Sequence, residues 1–242
     1  MALRTASAIR TPAKQPRRTV SDEPNESRLT AARSRTEQLT ELALRGTLIA
    51  KDSAMNLRDL LQNSSMMAFL AIKDCEKELD QIERQIDEKL PKAITRVGEA
   101  KARELLACLK FITDLERIGD LQWWVAQRLQ SVRVPPKTRK QMQKIAAIVE
   151  SMLAQIHKGF MERDLELATA VLKTDSEIDL ICRALFREYL HERSNAHSVD
   201  VLLMTQALER AGDHAKNLAE ELYHLIEGHS VRHSKKSSRA SN

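Results

Sequence analysis

One hexapeptide occurs twice in this chain. Leu-Glu-Arg-x-Gly-Asp stands at Leu115–Asp120 and again at Leu208–Asp213. A second likeness precedes each copy: the acid pair Glu76/Asp80 has its counterpart in Asp175/Asp179. The hexapeptides are offset by 93 residues and the earlier pairs by 99, so the extra six residues fall in the segment Pro91–Gly98 of the first half. Two segments repeated in the same order restrict the fold strongly, because the unit that carries the first pair has to be built a second time.

That unit reads as helical. Apolar residues recur at helical spacing from near Leu29 through Leu39, Leu42, Ile49 and Leu57 to Leu61, and "QNSS" then offers a turn with Ser64 or Ser65 as a helix cap. A second helix is expected from Met66 to Leu90, weakened at its end by Pro91 and Gly98, and a third from Glu99 to Gln130. Pro135–Pro136 is the sharpest break, since two successive prolines cannot lie inside a helix. Beyond it, helices are expected over 138–161, 165–192 and 196–227, separated by turns at Arg163–Asp164 and "RSNAH", with Gly228 as the terminating C′ residue. The fold class is therefore all-α, with two tandem three-helix bundles related by the internal repeat. The expected segments are a disordered basic arm at 1–32, bundles at 33–131 and 136–228, and a flexible basic tail at 229–242.

Composition agrees. The chain has only six glycines and six prolines in 242 residues, no alternating Val/Thr/Tyr-rich run, and 3% aromatics, so its core must be Leu, Ile, Ala and Met. No apolar run approaches 18 residues, so no membrane span is expected. Cys75, Cys108 and Cys182 have neither metal nor disulfide spacing and read as small buried residues in a reducing, cytoplasmic protein.

The net charge of +5 belongs to the ends. Five basic residues and no acid lie within 1–21, and four more basic residues within 229–242, so the body alone is acidic by about four charges. Nucleic acid is accordingly not an expected partner. The N-terminal arm has a faint likeness to a transit peptide, but three prolines and the absence of an apolar h-region favour a solvated arm.

Two carboxylates at i and i+4 project from one helix face about 6 Å apart and repel one another unless a cation sits between them. Oxygen donors of this kind suit magnesium, manganese, calcium, iron or zinc. Spacing alone is weak, since Glu37/Glu41, Glu83/Asp87, Glu162/Glu166 and Glu188/Glu192 share it. None of these four has a counterpart at either offset, whereas Glu76/Asp80 with Glu116/Asp120 and Asp175/Asp179 with Glu209/Asp213 do. Helical geometry sets Glu116 at the margin of the apolar face and Asp120 just outside it, where they can meet a neighbouring helix. They could bind a cation there, shift their pKa values, or form salt bridges with Arg84, Arg117 and Arg210. Gly119 and Gly212 each weaken a helix by about 1 kcal/mol relative to alanine, which calls for close approach of a helix or ligand. Trp123 and Trp124 point about 100° apart, so one is expected in the helix seam and the other toward a partner.

"ITDLERIGD" and "LERAGDHAKNLAE", each preceded by an (E/D)xxxD helix, resemble the PhoU family of phosphate transport regulatory proteins over about residues 35–230. The resemblance implies tandem bundles whose (E/D)xxxD motifs bind iron, zinc or magnesium ions, here through Glu76, Asp80, Glu116, Asp120, Asp175, Asp179, Glu209 and Asp213. It implies supporting roles for His214, Asn217, Arg117 and Arg210. It further implies a non-enzymatic cytoplasmic homodimer acting with the ATPase subunit of a phosphate ABC transporter and a phosphate-sensing histidine kinase to repress phosphate-starvation genes. The family's "HAxNIAE" follows Asp213 as His214, Asn217 and Glu220, but the first half has Leu121, Trp124 and Gln127 there. Lys101 also stands where the family has an aspartate, and Thr205 and Gln206 replace an aromatic–arginine environment. On these grounds the second site is expected to be the better preserved. A carboxylate-bridged metalloprotein with redox or storage activity would want Glu-x-x-His, absent from these helices, and a plain helical scaffold would leave the acids merely solvated. No nucleophile–base pair, Gly-rich phosphate loop or HExxH motif supports catalysis.

Overall fold

A computed structural model describes residues 23–191 and 196–228. The arm at 1–22, the expected helix end and cap at 192–195 and the tail at 229–242 lie outside the described residues. Six helices follow in order: α1 (Glu23–Asn63), α2 (Met66–Ile94), α3 (Glu99–Ser131), α4 (Pro136–Glu162), α5 (Leu165–His191) and α6 (Ala196–Glu227). Among the described residues there is no strand, and no helix is long and apolar enough to cross a membrane.

The breaks follow the local chemistry. Ser65 caps α2 by accepting a hydrogen bond from the Ala68 amide at 3.2 Å. Pro136 occupies the first turn of α4, where its missing N–H has no partner to lose. Asp164 accepts from the amides of Glu166 and Leu167 at 2.8 and 3.4 Å, capping α5, and Gly228 takes φ 77° after α6. Two boundaries differ from expectation. Helix α1 begins at Glu23, so residues 23–32 are its first turns rather than part of the arm, with Pro24 in the first turn, where proline is tolerated. Helix α2 runs through Pro91 to Ile94, because Leu90 and Ala93 still bury on its inner face and the proline disturbs only the final turns.

Each half forms a three-helix bundle, and the halves pack closely. Helices α1 and α3 face α4 and α6, while α2 touches only α1 and α3, and α5 only α4 and α6. The four inner helices thus form the middle of the molecule, and the two helices bearing the first acid pairs dock on its outside. One hydrophobic core runs through both halves, with Phe111 of α3 edge-on to Phe160 of α4 at 5.0 Å.

Helices α3 and α6 are antiparallel. Lys110 pairs with Glu221 at 2.8 Å, Asp114 with His214 at 2.8 Å and Arg128 with Asp200 at 3.2 Å. This register brings residues 116–120 level with 209–213. The duplicated hexapeptides therefore cross at the same height in the middle of the molecule.

Candidate cation sites on the two repeats

The duplicated glycines explain how α2 and α5 come so near. A Cβ added at Gly119 would lie 2.6 Å from Leu79 Cδ1, and one added at Gly212 would lie 2.6 Å from Ile178 Cδ1. Leu79 and Ile178 are themselves repeat counterparts, at the offset of 99. The close approach predicted from the sequence is thus that of a helix, the one carrying the other acid pair. Leu79 lies between Glu76 and Asp80, and Ile178 between Asp175 and Asp179, so seating the aliphatic residue over the glycine aligns the acids with those of α3 or α6.

In the first half, Glu76, Asp80, Glu116 and Asp120 share one patch at the α2–α3 seam. The Glu116 carboxyl is pushed up to about 7, first by burial and then by the charges of Asp120, Glu83 and Asp80, with a hydrogen bond to Asp120 adding to the effect. Burial followed by the charges of Asp120 and Asp80 also raises Glu76. A fifth acid joins them. Glu83 is raised by burial and then by Asp87, Asp80 and Asp120, against an opposing pull from Arg117. The repeat does not mark Glu83, because its counterpart is Cys182.

In the second half, Asp175, Asp179, Glu209 and Asp213 meet at the α5–α6 seam. Burial and the charges of Asp179 and Asp213 raise Glu209, and burial and Asp175 raise Asp213. Asp175 is the most buried of the eight predicted acids, at 7% exposure. The Lys216 ammonium donates to Asp175 Oδ2. That bond and the neighbouring acids raise the Lys216 pKa against desolvation.

The arginines follow the repeat as well. Arg84 pairs with Asp80, and its counterpart Arg183 lies close enough to lower Glu209. Their shared offset of 99 was a usable signal in the sequence. Arg117 and Arg210 are exposed and line one open cleft with Asp120, Leu121, Trp123, Trp124 and Gln127. Trp123 packs on Phe69 of α2 at 5.0 Å, and Trp124 lies beneath the Arg128 guanidinium, also at 5.0 Å. His214 turns to Asp114 of α3, with the two side chains 12% and 20% exposed, and so joins the halves. Asn217 is half-buried one turn further along α6. Cys108 and Cys182 are buried and Cys75 is half-buried, and burial pushes all three thiols up, to about 11, 12 and 11 respectively.

The donor set is all oxygen, as hard cations require. Among the described residues, no group of three or more Asp, Glu, His or Cys side chains is placed to hold a metal ion. In the first half the Arg84 guanidinium is paired with Asp80. In the second half the Lys216 ammonium is paired with Asp175.

A sequence profile of the PhoU domain matches this chain twice, at residues 47–129 and 142–222. The chain belongs to the PhoU family. The two PhoU domains coincide with the two structural repeats, each spanning most of one bundle. A phosphate-specific transport system accessory protein PhoU homolog from Rhizobium meliloti is 31% identical over 206 residues, covering 80% of this chain and 84% of that protein. The homolog from Pseudomonas aeruginosa is 29% identical over 204 residues, with the same coverage. The crystal structure of the phosphate transport system regulatory protein PhoU from Streptococcus pneumoniae superposes with a TM-score of 0.73 at 19% identity, covering 83% of this chain and 99% of that one. At that identity the likeness concerns the PhoU fold alone.

Proposed function

We propose that this chain is an accessory protein of a phosphate-specific transport system. In this reading it acts in the cytoplasm as a non-enzymatic homodimer, with the transporter's ATPase subunit and a phosphate-sensing histidine kinase, to repress phosphate-starvation genes. The observation that carries the reading is the PhoU match to both halves, together with the 31% identity to a protein named for that role.

The acid clusters are the cation sites of this regulator. Glu76, Asp80, Glu116 and Asp120, with Glu83 beside them, would hold an iron, zinc or magnesium ion in the first half, and Asp175, Asp179, Glu209 and Asp213 in the second. A bound cation supplies positive charge that relieves carboxylate repulsion and holds α2 against α3, or α5 against α6. Carboxylates raised by one another's charge at both seams support this assignment.

Deletion of the gene, read with a phosphate-starvation reporter, tests the role. Derepression in high phosphate is the expected result. A reporter that stays silent, in a strain with no second PhoU-family gene, would refute the role.

A further inference from the structure

We infer that the cleft where the α3–α4 connection, residues 132–135, passes the end of α1 is a binding site for a phosphate-bearing anion. The inference depends neither on the acid clusters nor on the transport reading. The cleft encloses about 880 Å³, the volume of a small-molecule site. Arg133, Arg139 and Lys140 line it, Leu61, Val132 and Val134 give it an apolar wall, and no carboxylate stands among its lining residues. Three cations thus share one concave surface on a body whose own charge balance is acidic.

Basic residues just outside the cleft find acids. Lys137, one turn before Lys140, pairs with Glu188 at 2.9 Å, and Arg128 pairs with Asp200 at 3.2 Å. Arg133 and Lys140 have no such partner among the described residues. Arg139 is only half satisfied. Its Nη1 donates to Ser64 Oγ at 2.7 Å, which holds the guanidinium in place, while its Nε is buried with no hydrogen-bond partner. A buried, unpaired donor costs free energy that an acceptor oxygen recovers. The first turn of α4 adds to the positive field, because Pro135 stands at its cap position and supplies no side-chain cap. Gln143 donates to Gln62 at 2.8 Å across the same α1–α4 junction, so the cations stand on a fixed frame. Convergent Arg and Lys side chains without a carboxylate suit a phosphate, whose several oxygens accept from all of them at once. Inorganic phosphate and the phosphates of a nucleotide share this chemistry, and they differ in their use of the apolar wall.

The test is calorimetric titration of the full-length protein with inorganic phosphate and with ATP, at fixed ionic strength. Saturable binding of one equivalent per chain is expected. R133Q/K140Q should weaken it about tenfold, since two of the three cations are gone. Both side chains are exposed, so circular dichroism should show the helices intact. K89Q/K173Q removes the same charge from exposed positions on α2 and α5 and should bind as wild type does. Tighter binding of ATP than of phosphate would assign the apolar wall to the nucleoside, and equal binding would assign the site to free phosphate. Melting provides a second readout: the saturating anion should raise the melting temperature of wild type and leave that of R133Q/K140Q nearly unchanged. No saturable binding, binding untouched by R133Q/K140Q, or an equal loss in both double variants would overturn the inference.

Discussion

At the scale of single residues, the molecule gathers like charges and stabilises them only partly. Glu116 is the clearest case, its carboxyl raised from the ordinary 4.5 to about 7. A carboxyl raised in the folded state adds stability that is present below about pH 4.5 and lost as the pH climbs through 7. Glu76, Glu83, Glu209 and Asp213 are shifted the same way. His157, lowered by burial, acts oppositely: its contribution is lost as the pH falls below its unfolded value of 6.5. The melting temperature of metal-free protein is therefore expected to fall between about pH 6.5 and 8. E116Q should flatten that fall. A melting temperature that climbs over the range, or an E116Q profile parallel to wild type, would contradict the charge crowding. The eight repeated acids were legible in the sequence because two offsets tied them together. Glu83 and Lys216 were not, since membership of a seam depends on helix rotation and on which neighbour is packed there, and neither residue has a like-charged counterpart.

At the scale of helices, the sequence showed all six, because their apolar spacing is long and their breaks are chemically plain at Ser65, Pro135–Pro136 and Asp164. The two misplaced boundaries both involve prolines near helix ends, where loss of one N–H is too small a penalty to stop a helix whose inner face still buries. The repeated glycine was legible as a need for close approach, but its partner was not. Leu79 and Ile178 supply the answer. G119A gains about 1 kcal/mol of helix propensity, yet its methyl group meets Leu79, which is completely buried and has little room to yield. Overpacking of this kind costs about 1–3 kcal/mol, so G119A is expected to lower stability by about 1 kcal/mol in chemical denaturation. A stabilised G119A would mean that α2 does not lie so close to α3.

At the scale of the whole molecule, the repeat predicted two bundles but not their joining. The pairing of α1 with α4 and of α3 with α6 depends on surfaces that periodicity marks only as apolar. It yields one core across both halves, with the Phe111–Phe160 contact and the Asp114–His214 hydrogen bond linking them. Unfolding should accordingly be a single transition that fluorescence of Trp123 and Trp124, in the first half, and helical circular dichroism, averaged over both, report at one midpoint. Separate midpoints would show halves that fold alone. The joining also sets the two hexapeptides level on α3 and α6, so a change at one acid cluster lies next to the other. If the acid clusters carry the proposed regulatory role, complementation of the deletion strain will depend on them. Wild-type protein should restore repression of the phosphate-starvation reporter in high phosphate, while a folded E76Q/D80N/E116Q/D120N variant at equal abundance should leave it derepressed. Full repression by that variant would refute a regulatory role for the clusters.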